Sequence, residues 1–95
     1  MKFSLIIPVA PDRKCEIKES IAKLDYSKKE FEVIIEYGLN PSENRNRGIK
    51  KAKGKYLVFL DDDAVIDSNY LKNVEKFFQE HDADIVGGPQ LTPKD

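Results

Sequence analysis

Three consecutive aspartates, Asp61-Asp62-Asp63, directly follow the most apolar run in the chain, Tyr56-Leu57-Val58-Phe59-Leu60. Two carboxylates about 5 Å apart repel by roughly 1 kcal/mol in water, and by several times more beside a low-dielectric surface. Helix capping does not account for the triplet, since Asp67 and Ser68 already stand where the next helix starts. A hard divalent cation, Mg²⁺ or Mn²⁺, would relieve the repulsion, because such ions take one or two protein carboxylates and complete their shell with water and phosphate oxygens. The alternative is an exposed acidic turn that merely tolerates its charge. An EF-hand loop starting at Asp61 fails, with Ile66 at the glycine position and Lys72 at the closing glutamate.

A second group follows from Glu43: Arg45, Arg47, Lys50, Lys51, Lys53 and Lys55 are six cations in eleven residues. The lysines read as a solvated helix face. Arg45 and Asn46 fall near a helix start, where a guanidinium fork and backbone amides would suit a nucleotide base or phosphate. No glycine-rich phosphate loop of the dinucleotide or Walker type is present, so any phosphate would be gripped through a metal. His81, Cys15, Ser4, Ser20 and Ser27 have no partners in a catalytic pattern, and Tyr37 is open between packing and stacking.

The elements that must position these groups are legible from periodicity. Phe3–Val9, Phe31–Ile35 and Tyr56–Leu60 are short runs rich in branched or aromatic residues, predicting buried strands, with Pro8 expected at the end of the first because it lacks an N–H. Ile17, Ile21 and Leu24 predict an amphipathic helix of about three turns. A second helix is predicted from about Ser42 to Lys53, stopped by Gly54. A third runs from a cap at Asp67 or Ser68 through Gln79, with Tyr70, Leu71, Val74, Phe77 and Phe78 as its apolar stripe. Ile85-Val86, before Gly87-Gly88-Pro89, predicts a fourth strand. This alternation is the pattern of a Rossmann-like, mostly parallel α/β sheet with helices on both faces. Ligands of such sheets bind beyond the carboxyl ends of the strands, here Val9–Asp12, Glu36–Gly38 and Asp61–Asp63.

With 95 residues the chain is expected to be one domain, spanning 1–95. Sixteen Lys and Arg against seventeen Asp and Glu leave a net charge of −1, which argues against nucleic acid as a partner. One cysteine gives neither an internal disulfide nor a cysteine zinc site. No apolar run reaches the ~20 residues of a membrane span, and the start of the chain is unlike a signal peptide. The expectation is a cytoplasmic protein, able to sit peripherally at the inner membrane face.

Taken in order, these segments resemble the family 2 glycosyltransferases of the GT-A fold. Phe3–Val9 is similar to the family's first strand and Ser20–Leu24 to its first helix. Asn44-Arg45-Asn46-Arg47-Gly48 resembles its Ala-Arg-Asn-x-Gly helix, and Tyr56–Asp63 its strand ending in Asp-x-Asp. The resemblance implies transfer of a sugar from a UDP- or GDP-linked donor with Mg²⁺ or Mn²⁺. It implies Asp61 at the ribose or base side, Asp63 on the metal, Asp62 between them, Arg45 near the base, and Pro8 and Val9 as the pocket floor. Departures are visible too. Glu36-Tyr37-Gly38-Leu39 replaces the family's Asp-Asp-Gly-Ser, leaving Glu36 to accept from the base. Ala10-Pro11 replaces an aromatic-Asn pair. The family's acceptor half, with its catalytic base, would begin after Gly87-Gly88-Pro89, so the chain resembles a donor-binding half and no base is nominated. Without a later strand beside Tyr56–Leu60 an open edge is expected there, covered by a homodimer. Two other readings compete. One is a non-catalytic nucleotide- or metal-binding or assembly module. The other is a sugar-phosphate nucleotidyltransferase, which would ordinarily carry a glycine-rich loop where Ala10–Lys14 has none.

Overall fold

The computed structural model describes residues 1–81 and 91–93, with side chains described through Gln79. The chain runs β1 (Phe3–Val9), α1 (Ile17–Ala22), β2 (Phe31–Tyr37), α2 (Pro41–Lys51), β3 (Tyr56–Phe59), α3 (Tyr70–His81) and β4 (Leu91–Pro93). The sheet order is β2-β1-β3-β4. β1 pairs in parallel with both neighbours, and β4 pairs antiparallel with β3.

Alternation along β1 separates two layers. Phe3, Leu5, Ile7 and Val9 point into a core shared with Ile17 and Ile21 of α1 and Leu71 and Val74 of α3. Ile6 points the other way, against Ala52, Ile34 and Leu57 beneath α2. Both faces are therefore covered, as an all-buried central strand requires. On the α2 face a side chain at Gly48 would meet Ile6 Cγ2 at 2.5 Å, so the glycine lets the helix lie directly on β1.

Several boundaries differ from the periodicity. α1 has six residues rather than three turns. After Ala22 the chain tightens, with Leu24 N–H bonding to the Ile21 carbonyl and Asp25 N–H to the Ser68 carbonyl. Leu24 reaches the core from that turn. α2 starts at Pro41 because Asn40 Oδ1 accepts from the amides of Ser42 and Glu43, a cap reinforced by proline at the first helical position. Gly54 does not stop α2, which ends at an Ala52 cap.

Pro8 lies inside β1, opposite Glu36. Its nitrogen faces the β3 side, as Ile6 does in accepting from Leu60 N–H at 3.0 Å. The β1–β3 pairing ends at Ile6 opposite Phe59, whereas β1–β2 continues to Val9 opposite Tyr37. The missing donor costs nothing there. The predicted strand at Ile85-Val86, and the expected boundary at Gly87-Gly88-Pro89, lie outside the described residues. The edge expected to be open is paired: Tyr56, Leu57 and Val58 face Pro93, Thr92 and Leu91 of β4. That pairing removes the reason given for a homodimer at this edge.

Candidate functional site

Because β1 is followed by β2 on one side and β3 on the other, the strand order switches at the β1–β3 boundary, where doubly wound sheets form a crevice. A cleft of about 870 Å³ opens at this end of the sheet, between α2 and the segment leading from β3 to α3. Arg45, Asn46 and Ile49 line one wall, Asp61 and Ile66 the other, and Phe59 lies between. Asp61 is exposed, and its carboxylate has no cationic partner among the described residues.

The triplet divides by environment. Asp62 is 8% exposed, with Oδ2 2.9 Å from Arg13 Nε, and its carbonyl accepts the Ile17 amide at 2.9 Å. Asp63 is exposed and stands 3.5 Å from Arg13 Nη2. Asp62 thus anchors α1 and the post-β1 loop, while Asp61 and Asp63 face solvent. No sequence signal marks Arg13 as a partner of Asp62: it sits 49 positions away in a segment with no periodicity.

Glu36 has a different role from the one expected. It is buried, paired with Lys51 Nζ at 2.6 Å and Arg47 Nε at 3.1 Å, and does not line the cleft. Arg47 Nη2 also donates to the Tyr37 carbonyl at 2.8 Å and to Asn44 Oδ1 at 2.5 Å, and Asn44 Nδ2 donates to the Gly38 carbonyl at 3.0 Å. This network pins α2 to the end of β2, which fixes the position of Arg45 and Asn46. Asn44 is 2% exposed with both ends of its amide satisfied.

The Lys51 hydrogen bond holds the Glu36 carboxyl below its usual 4.5; burial opposes this and Arg47 reinforces it. Since the folded value is depressed, the stabilisation is present above the unfolded value and is lost as pH falls through the folded one. Glu36→Gln should cost about 2 kcal/mol at neutral pH. The gap between wild type and variant should narrow only below pH 4.5 in urea unfolding.

The helix start also differs. Pro41 has no N–H, Asn40 Oδ1 takes the amides of Ser42 and Glu43, and the Asn44 amide bonds the Asn40 carbonyl. The first-turn amides are therefore consumed, leaving the Arg45 and Asn46 side chains as the groups α2 offers a ligand. Pro8, Val9, Arg13, Asp62 and Asp63 do not line the cleft, so Asp61 alone of the triplet does. Val9 is 1% exposed and packs in the α1–α3 core. Among the described residues no group of three or more His, Cys, Asp or Glu could hold a metal unaided, and no helix is long and apolar enough to cross a membrane.

The Glycosyl transferase family 2 model matches residues 10–95. The poly(ribitol-phosphate) beta-N-acetylglucosaminyltransferase TarS of Staphylococcus aureus is 30% identical over 116 residues, covering 90% of this chain and 20% of TarS. The uncharacterized glycosyltransferase EpsJ of Bacillus subtilis is 34% identical over 87 residues, covering 92% of this chain and 24% of EpsJ. The crystal structure of S. aureus TarS 1-349 superposes with a TM-score of 0.80 at 29% identity, over 90% of this chain and 34% of that one. Its complex with UDP-GlcNAc gives 0.77 at 27% identity, over 90% of this chain and 33% of that one. The chain spans about a fifth to a quarter of the length of these two curated relatives.

Proposed function

The chain belongs to glycosyl transferase family 2, and on that premise we propose that the crevice beyond β1 and β3 binds a uridine-diphosphate sugar for metal-assisted transfer of the sugar. The observation that carries this reading is Asp61, a carboxylate without a cationic partner among the described residues, in the cleft across from Arg45 and Asn46. UDP is favoured over GDP because TarS, a structural neighbour, has been crystallised with UDP and with UDP-GlcNAc.

The donor set suits Mg²⁺ or Mn²⁺. Asp61 offers an exposed carboxylate in the cleft and Asp63 an exposed carboxylate two positions on, outside the cleft lining, and such an ion needs only one or two carboxylates beside phosphate and water. Bound there, the ion would supply Lewis-acid neutralisation of charge on the departing diphosphate. The chain's own residues do the rest of the donor's binding. Asp61 orients the ribose or base side, Arg45 and Asn46 close the opposite wall, and the Glu36–Arg47–Asn44 network keeps that wall in place. Glu36 is not a reader of the base in this reading, because its carboxylate is already held by two cations.

Calorimetric titration of UDP and GDP, with and without Mn²⁺, tests the proposal on wild type and Asp63→Ala. Wild type should bind UDP more tightly than GDP, and only weakly without Mn²⁺. The variant should lose about tenfold or more of the metal-dependent affinity, some 1.4 kcal/mol. Equal binding by both proteins would remove Asp63 from the site.

A further inference from the structure

We propose that Arg13 is an exchangeable counter-ion for Asp63, a positioning residue whose second contact is given up to the divalent cation and then offered to the diphosphate. The inference rests on the reading of Asp61 and Asp63 as metal ligands.

Two unequal contacts carry it. Arg13 Nε lies 2.9 Å from Oδ2 of the buried Asp62, whereas Nη2 lies 3.5 Å from Oδ2 of the exposed Asp63. The first is a charge-assisted hydrogen bond of ordinary length, and removing it would leave a carboxylate buried without its counter-charge. The second is longer than a hydrogen bond and lies between groups 52% and 60% exposed, a pairing that contributes little in water. A divalent ion, with twice the charge and a ligand distance near 2 Å, outcompetes it at Asp63. The guanidinium does not leave when displaced. Asp62 retains it through Nε, and the loop is tied down by the Arg13 amide on the Ala10 carbonyl and by the Ile17 amide on the Asp62 carbonyl. The planar fork then presents its outer nitrogen beside the metal, where an arginine matches phosphate oxygens well.

This arrangement gives effects of opposite sign. Against the bare ion, Arg13 competes for Asp63 and adds like charge, so it weakens binding. Against the ion with a diphosphate, it adds a donor and neutralises phosphate charge, so it strengthens binding. A residue that only supported the fold would move both affinities downward when removed.

The test measures Mn²⁺ binding through the electron paramagnetic resonance signal of the free ion, without nucleotide, and then UDP binding at saturating Mn²⁺. Arg13→Ala should bind bare Mn²⁺ about fivefold more tightly and UDP about fivefold more weakly. Arg13→Ala/Asp62→Asn removes the buried charge together with its partner, which guards against a folding defect, and should keep part of the Mn²⁺ gain. Constants that move together, or do not move, in both variants while wild type shows metal-dependent UDP binding overturn the counter-ion role alone. A wild-type chain that takes up no Mn²⁺ overturns the proposed function and this role with it.

Discussion

Replacing Gly54 by alanine should cost about 3 kcal/mol, enough to move a urea midpoint by about 2–3 M at the small slope of a domain this size. The new Cβ would stand 2.6 Å from the Phe3 carbonyl carbon, 2.7 Å from the Ser4 nitrogen and 2.7 Å from Ser4 Oγ. Two of those atoms belong to the backbone of the central strand, which is held by β2 and β3 and cannot yield. The incoming segment must lift instead. Lifting breaks the Gly54 N–H bond to Ser4 Oγ and the Lys53 N–H bond to Glu32 Oε2, at 2.7 and 2.6 Å. It also strains the first β1–β3 pairs. Gly48→Ala meets only a side chain, Ile6 Cγ2, and should cost less. Reversible urea unfolding of the two variants checks both the size and the order; a Gly54→Ala midpoint within about 0.5 M of wild type, about 0.5 kcal/mol at that slope, would show that the close approach is not a constraint.

The same glycine shows what could be read from the chain beforehand. A glycine after a helical stretch suggests a stop, and the helix does end nearby, at Lys51. The reason for the glycine is nevertheless tertiary: a backbone passes over β1, and periodicity does not register such a crossing. The layers were legible because the almost unbroken apolar run Phe3–Val9, which marks a strand buried on both faces, and the helical stripes at Ile17/Ile21 and Leu71/Val74 depend only on which faces are buried. The Asn40-Pro41 start of α2 was also available from local chemistry, as a capping side chain before a proline, although the helix was predicted from Ser42. The role of Glu36 was not available. Its partners Arg47 and Lys51 lie 11 and 15 positions away in another element, and they were indistinguishable from the rest of a solvated basic face until α2 lay across β2. Glu32 makes the same point on the other side of Ser4. Burial raises its pKa, but the Ser4 hydroxyl and the Lys53 and Gly54 amides outweigh that and hold it down.

The acidic triplet was the strongest chemical signal in the chain, and substitutions within it should produce the largest separation between binding and stability. Asp61→Asn should leave the unfolding midpoint nearly unchanged, because the Asp61 carboxylate is exposed and no cation among the described residues pairs with it. It should weaken Mn²⁺-dependent UDP binding by about a hundredfold, some 2.7 kcal/mol, since a neutral amide is a poor ligand for a hard cation and a weaker acceptor in the cleft. Asp62→Asn should do the reverse. Loss of the 2.9 Å pair with Arg13 should cost about 1–2 kcal/mol of stability, moderated because the half-exposed arginine can return to water. UDP affinity should fall by no more than a few-fold, through Arg13 rather than through a lost ligand. Both variants, titrated with UDP at saturating Mn²⁺ and unfolded in urea, would fall at opposite corners of a plot of affinity against stability. If Asp62→Asn abolished binding while Asp61→Asn spared it, the buried carboxylate would be the ligand, and the anchoring role assigned to it by its burial and its bond to Arg13 would be wrong.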